Sequence, residues 1–201
     1  MILPEYEAEL VDLAVSYGQP HREIATLPSA KLFNPLTKAD RIGEVCMVVQ
    51  RPTGQLLTAR KTFYPPEAYR LLTGGISHGE AIKAALLRET YEETGLEVVI
   101  QRFLAVIEYQ LASPYFTPVQ FTTFAFLLAE KGGNLECLDE HEKHAGFREI
   151  WPAELTKIAN FLEHITEDSG SEINQGRWRD WGIFRAVTHR VVYAALNEEI
   201  P

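Results

Sequence analysis

The stretch TGGISHGEAIKAALLRETYEETGLEV, residues 73–98, organises the fold and the chemistry of this chain. Its pattern predicts a glycine turn, then a helix, then a glycine stop at Gly95. Glu89, Glu92 and Glu93 are spaced i, i+3 and i+4, so on a helix they project from one face. Like charges at these spacings cost roughly a few tenths of a kcal/mol per pair, and a divalent cation bound by carboxylate oxygens removes that cost. The stretch therefore predicts a metal site.

The start of the predicted helix and its apolar side follow from the same stretch. Ser77 and Glu80 match the Ser-x-x-Glu pattern of a capping box, which predicts that the helix begins near His78. Three apolar residues share the side that carries the acids: Ile82, Ala85 and Leu86. An ordinary amphipathic helix keeps its acids on the opposite side, so we expect the glutamates at the rim of the sheet or in a cleft. The alternative is a solvated acidic helix end that pairs with Arg88 and Lys83.

The composition is that of an ordinary soluble protein, with 46% hydrophobic and 23% charged residues among 201. This length predicts one domain with extensions and a substantial core. The formal net charge of −9 argues against a non-specific nucleic-acid or membrane-surface binder, which would carry a basic face. It does not argue against nucleotides as substrates, because metal ions bridge an acidic site to phosphates.

The cellular compartment is inferred from the cysteines and from the lack of a predicted signal peptide or membrane span. Cys46 and Cys137 fit a reducing compartment better than a disulfide framework. The N-terminal sequence MILPEYEAEL has no positive region followed by an apolar run, so no signal peptide is expected. No apolar stretch approaches about 18 residues, so no membrane span is expected. We therefore expect a cytoplasmic protein.

Residues 1–40 differ from the rest of the chain, and we interpret them as an N-terminal extension that packs on the main domain, residues 41–201. The pattern predicts a helix over residues 5–17, which Gly18 ends. Three prolines then punctuate a stretch that is interpreted as loop or short strand. A structural arm or a dimer contact is favoured over a second active site.

The main domain shows strand patterns on both sides of the central helix. A hairpin is predicted from two strands, residues 44–50 and 55–60, and residues 62–70 are interpreted as a loop that leads to the glycine turn. The remaining predicted elements are one long or two broken strands at 97–110, strands at 119–130 and 147–151, and helices at 152–162 and 177–198. This order predicts a mixed α/β (α+β) fold with a C-terminal amphipathic helix.

The glycines and charged residues of the opening stretch match a known pattern. They are Gly74, Glu80, Arg88, Glu89, Glu92, Glu93 and Gly95. Their spacing resembles the Nudix box, G-x5-E-x7-R-E-U-x-E-E-x-G-U, where U is aliphatic. Thr90 stands at an aliphatic position, and Thr73 stands where many members have proline. The resemblance implies a Nudix-type α/β/α sandwich with a mixed sheet, extending more loosely over residues 44–155.

The resemblance also implies a reaction and its cofactor. Nudix hydrolases cleave a diphosphate joined to another moiety, with Mg²⁺ or Mn²⁺ and an attacking water. The implied metal ligands are the Glu92 and Glu93 carboxylates, the Gly74 carbonyl, and Glu89, which is a ligand or the water-activating base. Arg88 is implied to orient these carboxylates. A later glutamate often serves as base in this family, and Glu140 or Glu142 stands at a plausible position. Glu142 is the candidate catalytic residue, with a solvated loop as the alternative, while the nearby His141 and His144 are expected at the surface.

Substrate recognition is less defined by the resemblance. Arg60 closes the strand before the box, where a basic residue commonly reaches phosphate in this family. Arg70 and Lys61 are weaker candidates. Several aromatic residues could stack on a base: Tyr64, Tyr69, Tyr115, Phe116 and Trp151. The position of Pro114 after the box suggests a resemblance to ADP-ribose pyrophosphatases.

The implied partner is a small-molecule nucleotide diphosphate, with no nucleic acid and no membrane, and a homodimer through the two extensions is a hypothesis. Two other functions were weighed. A non-catalytic Nudix-fold sensor or regulator is disfavoured because every charged residue of the box is present. An isomerase-type relative acting on an isoprenoid diphosphate is disfavoured for the same reason.

Overall fold

The computed structural model describes residues 6–28, 33, 35–38, 40–112, 117–166 and 178–198. Four helices and seven strands follow one another in these ranges: α1 Glu7–Tyr17, β1 His21–Leu27, β2 Arg41–Gln50, β3 Leu56–Lys61, β4 Arg70–Ser77, α2 Ile82–Thr94, β5 Leu96–Leu111, β6 Thr117–Gly133, β7 His144–Ile150, α3 Leu155–Glu163 and α4 Trp178–Asn197. Short 3-10 turns precede β7 and α3. The predicted helices and strands are present, with shifted ends.

The seven strands form one mixed sheet in the order β1-β5-β6-β2-β4-β3-β7. The β1–β5 and β6–β2 pairs are parallel, and the other neighbours are antiparallel. The first strand, β1, belongs to the segment before residue 41 and pairs along its full length with β5. The predicted hairpin is largely wrong, because β2 and β3 share only the Gln50–Leu56 pair and β4 lies between them.

Helices cover both faces of this sheet, so the fold is an α/β/α sandwich, as expected. One core cluster joins α1 and α2 to the sheet through Leu10, Leu13, Ile82 and Leu86. The other joins α3 and α4 to the opposite face, with Leu155 and Phe184 among its members. Within the described ranges, the structure has no helix with the length and hydropathy needed to cross a membrane.

The interpretation of Gly74 and Gly75 as a turn is wrong, since both lie inside strand β4. Gly74 pairs with Val45, and Gly75 pairs with Glu44, on the neighbouring strand β2. The sequence pattern suggested a turn because adjacent glycines are typical of one. These glycines instead permit close approach of side chains from other elements.

The start of α2 also differs from the prediction. The helix begins at Ile82 rather than near His78, and its N-cap residue is Ala81. Ser77 ends β4, and its N–H donates to the Glu80 carboxylate at 3.1 Å, so the Ser-x-x-Glu pair closes a turn before the helix. The C-terminal stop is confirmed: Gly95 adopts φ 65° and its N–H donates to the Tyr91 carbonyl at 2.8 Å.

Candidate active site

Gly74 of β4 and Glu89 of α2 are packed against each other. A Cβ built on Gly74 would lie 2.2 Å from Cγ and 2.3 Å from Cδ of Glu89. Such distances are far inside van der Waals contact, and only glycine avoids them. Any side chain at residue 74 would therefore displace the Glu89 carboxylate.

Arg88 connects the helix to the turn that precedes it. Its Nε and Nη2 donate to the two carboxylate oxygens of Glu80, both at 2.8 Å. Its Nη1 donates to Glu89 Oε1 and to Glu92 Oε2, both at 2.9 Å, and Nη2 also donates to the Gly75 carbonyl at 3.1 Å. The bond to Glu80 contributes most to raising the pKa of Arg88, and it lowers the pKa of Glu80. Arg88 is therefore permanently charged, and its hydrogen bonds fix the positions of three glutamate carboxylates.

The three glutamates of α2 differ in exposure. The side chain of Glu92 is 41% exposed, that of Glu89 is 13% exposed, and that of Glu93 is 3% exposed. Burial, followed by the charge of Glu93, raises the pKa of Glu89 to about 7, although Arg88 opposes this shift. The predicted placement of the acids on the core side of the helix therefore holds for Glu89 and Glu93, and less for Glu92.

His144 lies next to Glu93, and the expectation of a surface histidine is wrong. Its side chain is 8% exposed, and Nε2 lies 3.9 Å from Glu93 Oε2. The ring packs against Phe147, with 4.8 Å between centroids. Neither ring nitrogen has a hydrogen-bond partner among the described residues. The sequence of β7 does not reveal this burial, because exposed and less exposed residues do not alternate regularly along the strand.

Glu142 forms an ion pair with Nζ of Lys61, which ends β3. Burial acts to raise the pKa of Glu142, but the charge and hydrogen bond of Lys61 outweigh it and lower that pKa. The charge of Glu142 also contributes to the raised pKa of Glu89, so the two carboxylates are close enough to interact. Glu142 therefore lies near the acidic cluster, and its ion pair with Lys61 favours its ionised form.

The residues around Gly74 fit a divalent cation in their chemistry. Among the described residues, no three His, Cys, Asp or Glu side chains converge on one point that a metal could occupy. Two buried carboxylates are nevertheless near each other: Glu89 packs against Gly74, and the charge of Glu93 acts on Glu89. The Gly74 carbonyl is the further oxygen that the resemblance implies. Mg²⁺ commonly takes only one or two carboxylates and completes its octahedron with water and substrate phosphates. A cation here would also offset the repulsion between the two buried carboxylates.

A cavity of about 300 Å³ lies close to this cluster, with Thr73, the residue before Gly74, in its wall. It is lined by five cationic side chains and one carboxylate, that of Glu44. The cations are Lys38, Arg41, Lys61, Arg70 and Arg185. An enclosed surface with this excess of positive charge suits an anionic ligand.

The charges of the glutamate cluster act on cations that line the cavity. The charge of Glu93 contributes to raising the pKa of both Lys61 and Arg70, against the effect of burial. The charge of Glu89 contributes in the same way to Arg41, whose guanidinium also limits Gly75, since a Cβ there would lie 2.7 Å from Arg41 Nη1. These cations of the cavity therefore lie within electrostatic range of Glu89 and Glu93.

Of the two predicted substrate-binding arginines, the structure brings only Arg70 to the cavity. Arg70 is 4% exposed and donates to the Tyr64 hydroxyl at 2.8 Å and to Thr73 Oγ1 at 3.0 Å. Arg60 instead lies with its guanidinium 5.8 Å from the ring centroid of Tyr69, because successive side chains of a strand point to opposite faces. Lys61, the next residue along the strand, lines the cavity instead.

Among the described residues, one of the aromatic side chains predicted to stack on a base lines the cavity, and two do not. Tyr64 lines the cavity and packs on Trp181, with 4.7 Å between ring centroids. Tyr69 is covered by Arg148, 4.0 Å from its centroid, and Trp151 is 54% exposed. Pro114, Tyr115 and Phe116 lie outside the described residues.

The sequence analysis missed the contribution of α4 to the cavity. Trp181 and Arg185, one helical turn apart, both line it. Nη1 of Arg185 donates to Glu44 Oε1 at 2.7 Å, and Thr123 Oγ1 donates to the same oxygen at 3.0 Å. Arg185 is one of several polar residues of α4, so the local sequence pattern did not single it out.

Thr90, the residue that departs from the box, is fully buried. Its Oγ1 donates to the Leu86 carbonyl at 2.6 Å. The hydroxyl is thus satisfied within the helix, so the departure leaves the charged positions undisturbed.

The NUDIX domain family model matches residues 40–168 of this chain. The chain belongs to the Nudix family. The match leaves α1, β1 and α4 outside its bounds.

Three curated relatives match shorter segments. Nudix hydrolase 19, chloroplastic, from Arabidopsis thaliana is 39% identical over 54 residues, which cover 27% of this chain and 12% of the relative. The NAD-capped RNA hydrolase NudC of Chromobacterium violaceum is 36% identical over 63 residues, covering 31% and 24%. The RNA pyrophosphohydrolase of Baumannia cicadellinicola is 38% identical over 77 residues, covering 38% and 46%. Each match thus spans less than half the length of the relative.

Proposed function

We propose that this protein hydrolyses a phosphoanhydride bond in a nucleoside diphosphate linked to another moiety, such as an ADP-ribose-like nucleotide, with Mg²⁺ or Mn²⁺ as its cofactor. The observation that carries the proposal is the proximity of two oppositely charged regions. The buried Glu89 of α2 packs against Gly74, and the preceding residue, Thr73, lines a cavity with five cationic side chains. A diphosphate bridged between a divalent cation and basic side chains needs both.

The divalent cation, when bound, supplies positive charge that stabilises the charge developing on the non-bridging phosphate oxygens. Glu92 and Glu93, with Glu89 and the Gly74 carbonyl, would hold it. Arg88 keeps Glu89 and Glu92 oriented through its bonds at 2.9 Å, which limits reorganisation during the reaction.

A carboxylate of the same cluster accepts the proton of the attacking water. Glu142 is a poorer acceptor than Glu89, because its ion pair with Lys61 stabilises the ionised form. We assign to Glu142 the role of fixing Lys61 at the cavity wall. Lys61 and Arg70 then bind the phosphate oxygens that face away from the glutamates.

A small molecule suits the site better than RNA does, although two relatives carry RNA in their names. The cavity is small, and the formal net charge of the chain is −9. Long nucleic acids bind through extended basic surfaces, whereas one nucleotide needs only a local cluster of cations.

The test is turnover by the purified protein with Mg²⁺ or Mn²⁺ on ADP-ribose, NADH, diadenosine polyphosphates and oxidised deoxynucleoside triphosphates. We expect phosphate-containing products from at least one substrate, and no products in excess EDTA. Retained nucleotide binding without turnover on the whole panel would contradict the proposal and favour a non-catalytic sensor.

A further inference from the structure

The cavity has a wall that lies outside the part of the chain matched by the family model. That wall is α4, which follows residue 168 and presents Trp181 and Arg185 at spacing i and i+4. Side chains at this spacing lie on one face of a helix. The helix therefore adds one aromatic and one cationic group to the same cavity.

Arg185 is more buried and more fixed in position than a surface arginine would be. Its side chain is 6% exposed, and its Nη1 is held by Glu44 at 2.7 Å. Its Nε is buried and has no hydrogen-bond partner among the described residues. A buried, unpaired N–H of a charged group costs free energy, and an acceptor oxygen in the cavity would remove that cost.

The other cations of the cavity are only partly neutralised. Lys61 pairs with Glu142, and Arg41 pairs with Asp40, whose side chain is 64% exposed. Among the described residues, no carboxylate forms an ion pair with Lys38 or Arg70. Burial, followed by the charge of Arg41, lowers the pKa of Lys38, as expected where like charges are confined together. The positive charges of the cavity therefore outnumber the negative charges that pair with them.

We propose that α4 completes a phosphate subsite in this cavity, with Arg185 as its buried ligand, that holds a phosphoryl group of the substrate without help from a metal ion. The subsite deepens the proposed function and rests on it for the identity of the substrate. It takes a phosphate in contact with Arg185, Arg41 and Lys38, three of the cations that line the cavity. Trp181, Tyr64 and Phe63 form an adjacent aromatic wall.

A structural ion pair between Arg185 and Glu44 is the competing explanation, and the two make different predictions for Glu44. If Glu44 serves only to pair with Arg185, then Glu44→Gln weakens the fold and does not strengthen anion binding. If the cavity binds phosphate, Glu44 competes with the ligand for Arg185, and removing its charge strengthens binding. Glutamine keeps an oxygen that accepts from Thr123.

The experiment measures binding of inorganic pyrophosphate to the full chain in excess EDTA, by isothermal titration calorimetry. Removing Arg185 alone would leave Glu44 buried and unpaired, so the variant is the double substitution Arg185→Met with Glu44→Gln. The matched control is Arg190→Met on the same helix, since Arg190 is exposed and pairs with Glu163. Circular dichroism verifies that each variant is folded.

We expect wild type to bind pyrophosphate without metal, with an affinity that falls as salt rises. Glu44→Gln should bind several-fold more tightly, and the double variant about tenfold or more weakly than Glu44→Gln. Arg190→Met should match wild type. Absence of metal-free binding by wild type, or equal binding by the double variant and Glu44→Gln, would overturn the subsite. Turnover with Mg²⁺ in that case would leave the proposed function standing, whereas metal-free binding without turnover on any substrate would leave the subsite as a binding site alone.

Discussion

The carboxylate of Glu9 on α1 caps the first turn of α2: its Oε2 accepts from the N–H of Ile82 and its Oε1 from the N–H of Lys83, both at 2.9 Å. The first amides of a helix have no partner within it, and a carboxylate there also interacts favourably with the helix dipole. A segment outside the family match thus holds the start of the helix that carries Glu89 and Glu93.

Replacing Glu9 should destabilise the protein in a graded way. We expect Glu9→Ala to lower the free energy of unfolding by about 1–2 kcal/mol, and Glu9→Gln by less, because glutamine keeps one acceptor. Glu7→Gln, at an exposed position of the same helix, is the matched control. Urea denaturation measures all three, and equal effects of Glu9→Ala and Glu7→Gln would contradict the capping role.

Gly74→Ala should impair turnover far more than it impairs folding. The added methyl would lie 2.2 Å from Cγ of Glu89, and a displacement of about 1 Å in a catalytic group can reduce the rate about 100-fold. Gly132→Ala is the control, because its Cβ would be 3.6 Å from the nearest atom, Glu97 Oε2. Steady-state kinetics on a substrate of the wild-type enzyme give the comparison, and an unchanged kcat for Gly74→Ala would refute the close packing as a functional constraint.

Glu93→Gln and Glu92→Gln should each abolish metal-dependent hydrolysis while the fold stays intact. Both substitutions remove a negative charge from the predicted metal site, and we expect kcat to fall about 1000-fold. Mn²⁺ binding, followed by electron paramagnetic resonance, should weaken in parallel. Glu97→Gln, at an exposed position of β5, controls for charge. Near-normal turnover of either variant would be incompatible with its assignment as a metal ligand.

Stability should depend on pH through His189, which joins α4 to β4. Its Nε2 accepts from the Leu71 N–H at 3.0 Å, and Nδ1 lies 2.8 Å from the Arg185 carbonyl, so the neutral ring donates from Nδ1. Burial, followed by the charges of Arg70 and Arg185, lowers the pKa of His189 to about 4, against the opposing effect of the Arg185 carbonyl. The unfolded chain binds the proton more tightly, with a pKa near 6.5.

The contribution of His189 is therefore fully present above about pH 6.5 and is lost as the pH falls toward about 4. We expect a loss of about 2–4 kcal/mol across this window. Denaturant unfolding of wild type, His189→Gln and the exposed control His164→Gln, each between pH 4 and 8, measures it. If wild type and His189→Gln lose stability equally over this range, the assignment to His189 fails.

Local patterns predicted much of this fold because they report short-range interactions. The spacing of Glu89 and Glu93 placed both on the buried side of α2, and Gly95 marked its end through a left-handed residue that favours glycine. The same reasoning failed where a distant partner replaced the local one. Ser77 and Glu80 satisfied the capping-box pattern, yet the cap of α2 comes from Glu9, 73 residues before Ile82.

Residue types at fixed short spacings indicated the family, most of the helices and strands, and the set of acids in the box. The three-dimensional arrangement was needed to show that Gly74 is a strand residue packed on Glu89, that the side chain of His144 is buried beside Glu93, and that Arg70 rather than Arg60 reaches the cavity. It also decided that Arg185 meets Glu44 across 141 residues of chain. The physical reason is that burial and pairing between distant segments depend on strand register and helix docking, which local spacing does not encode.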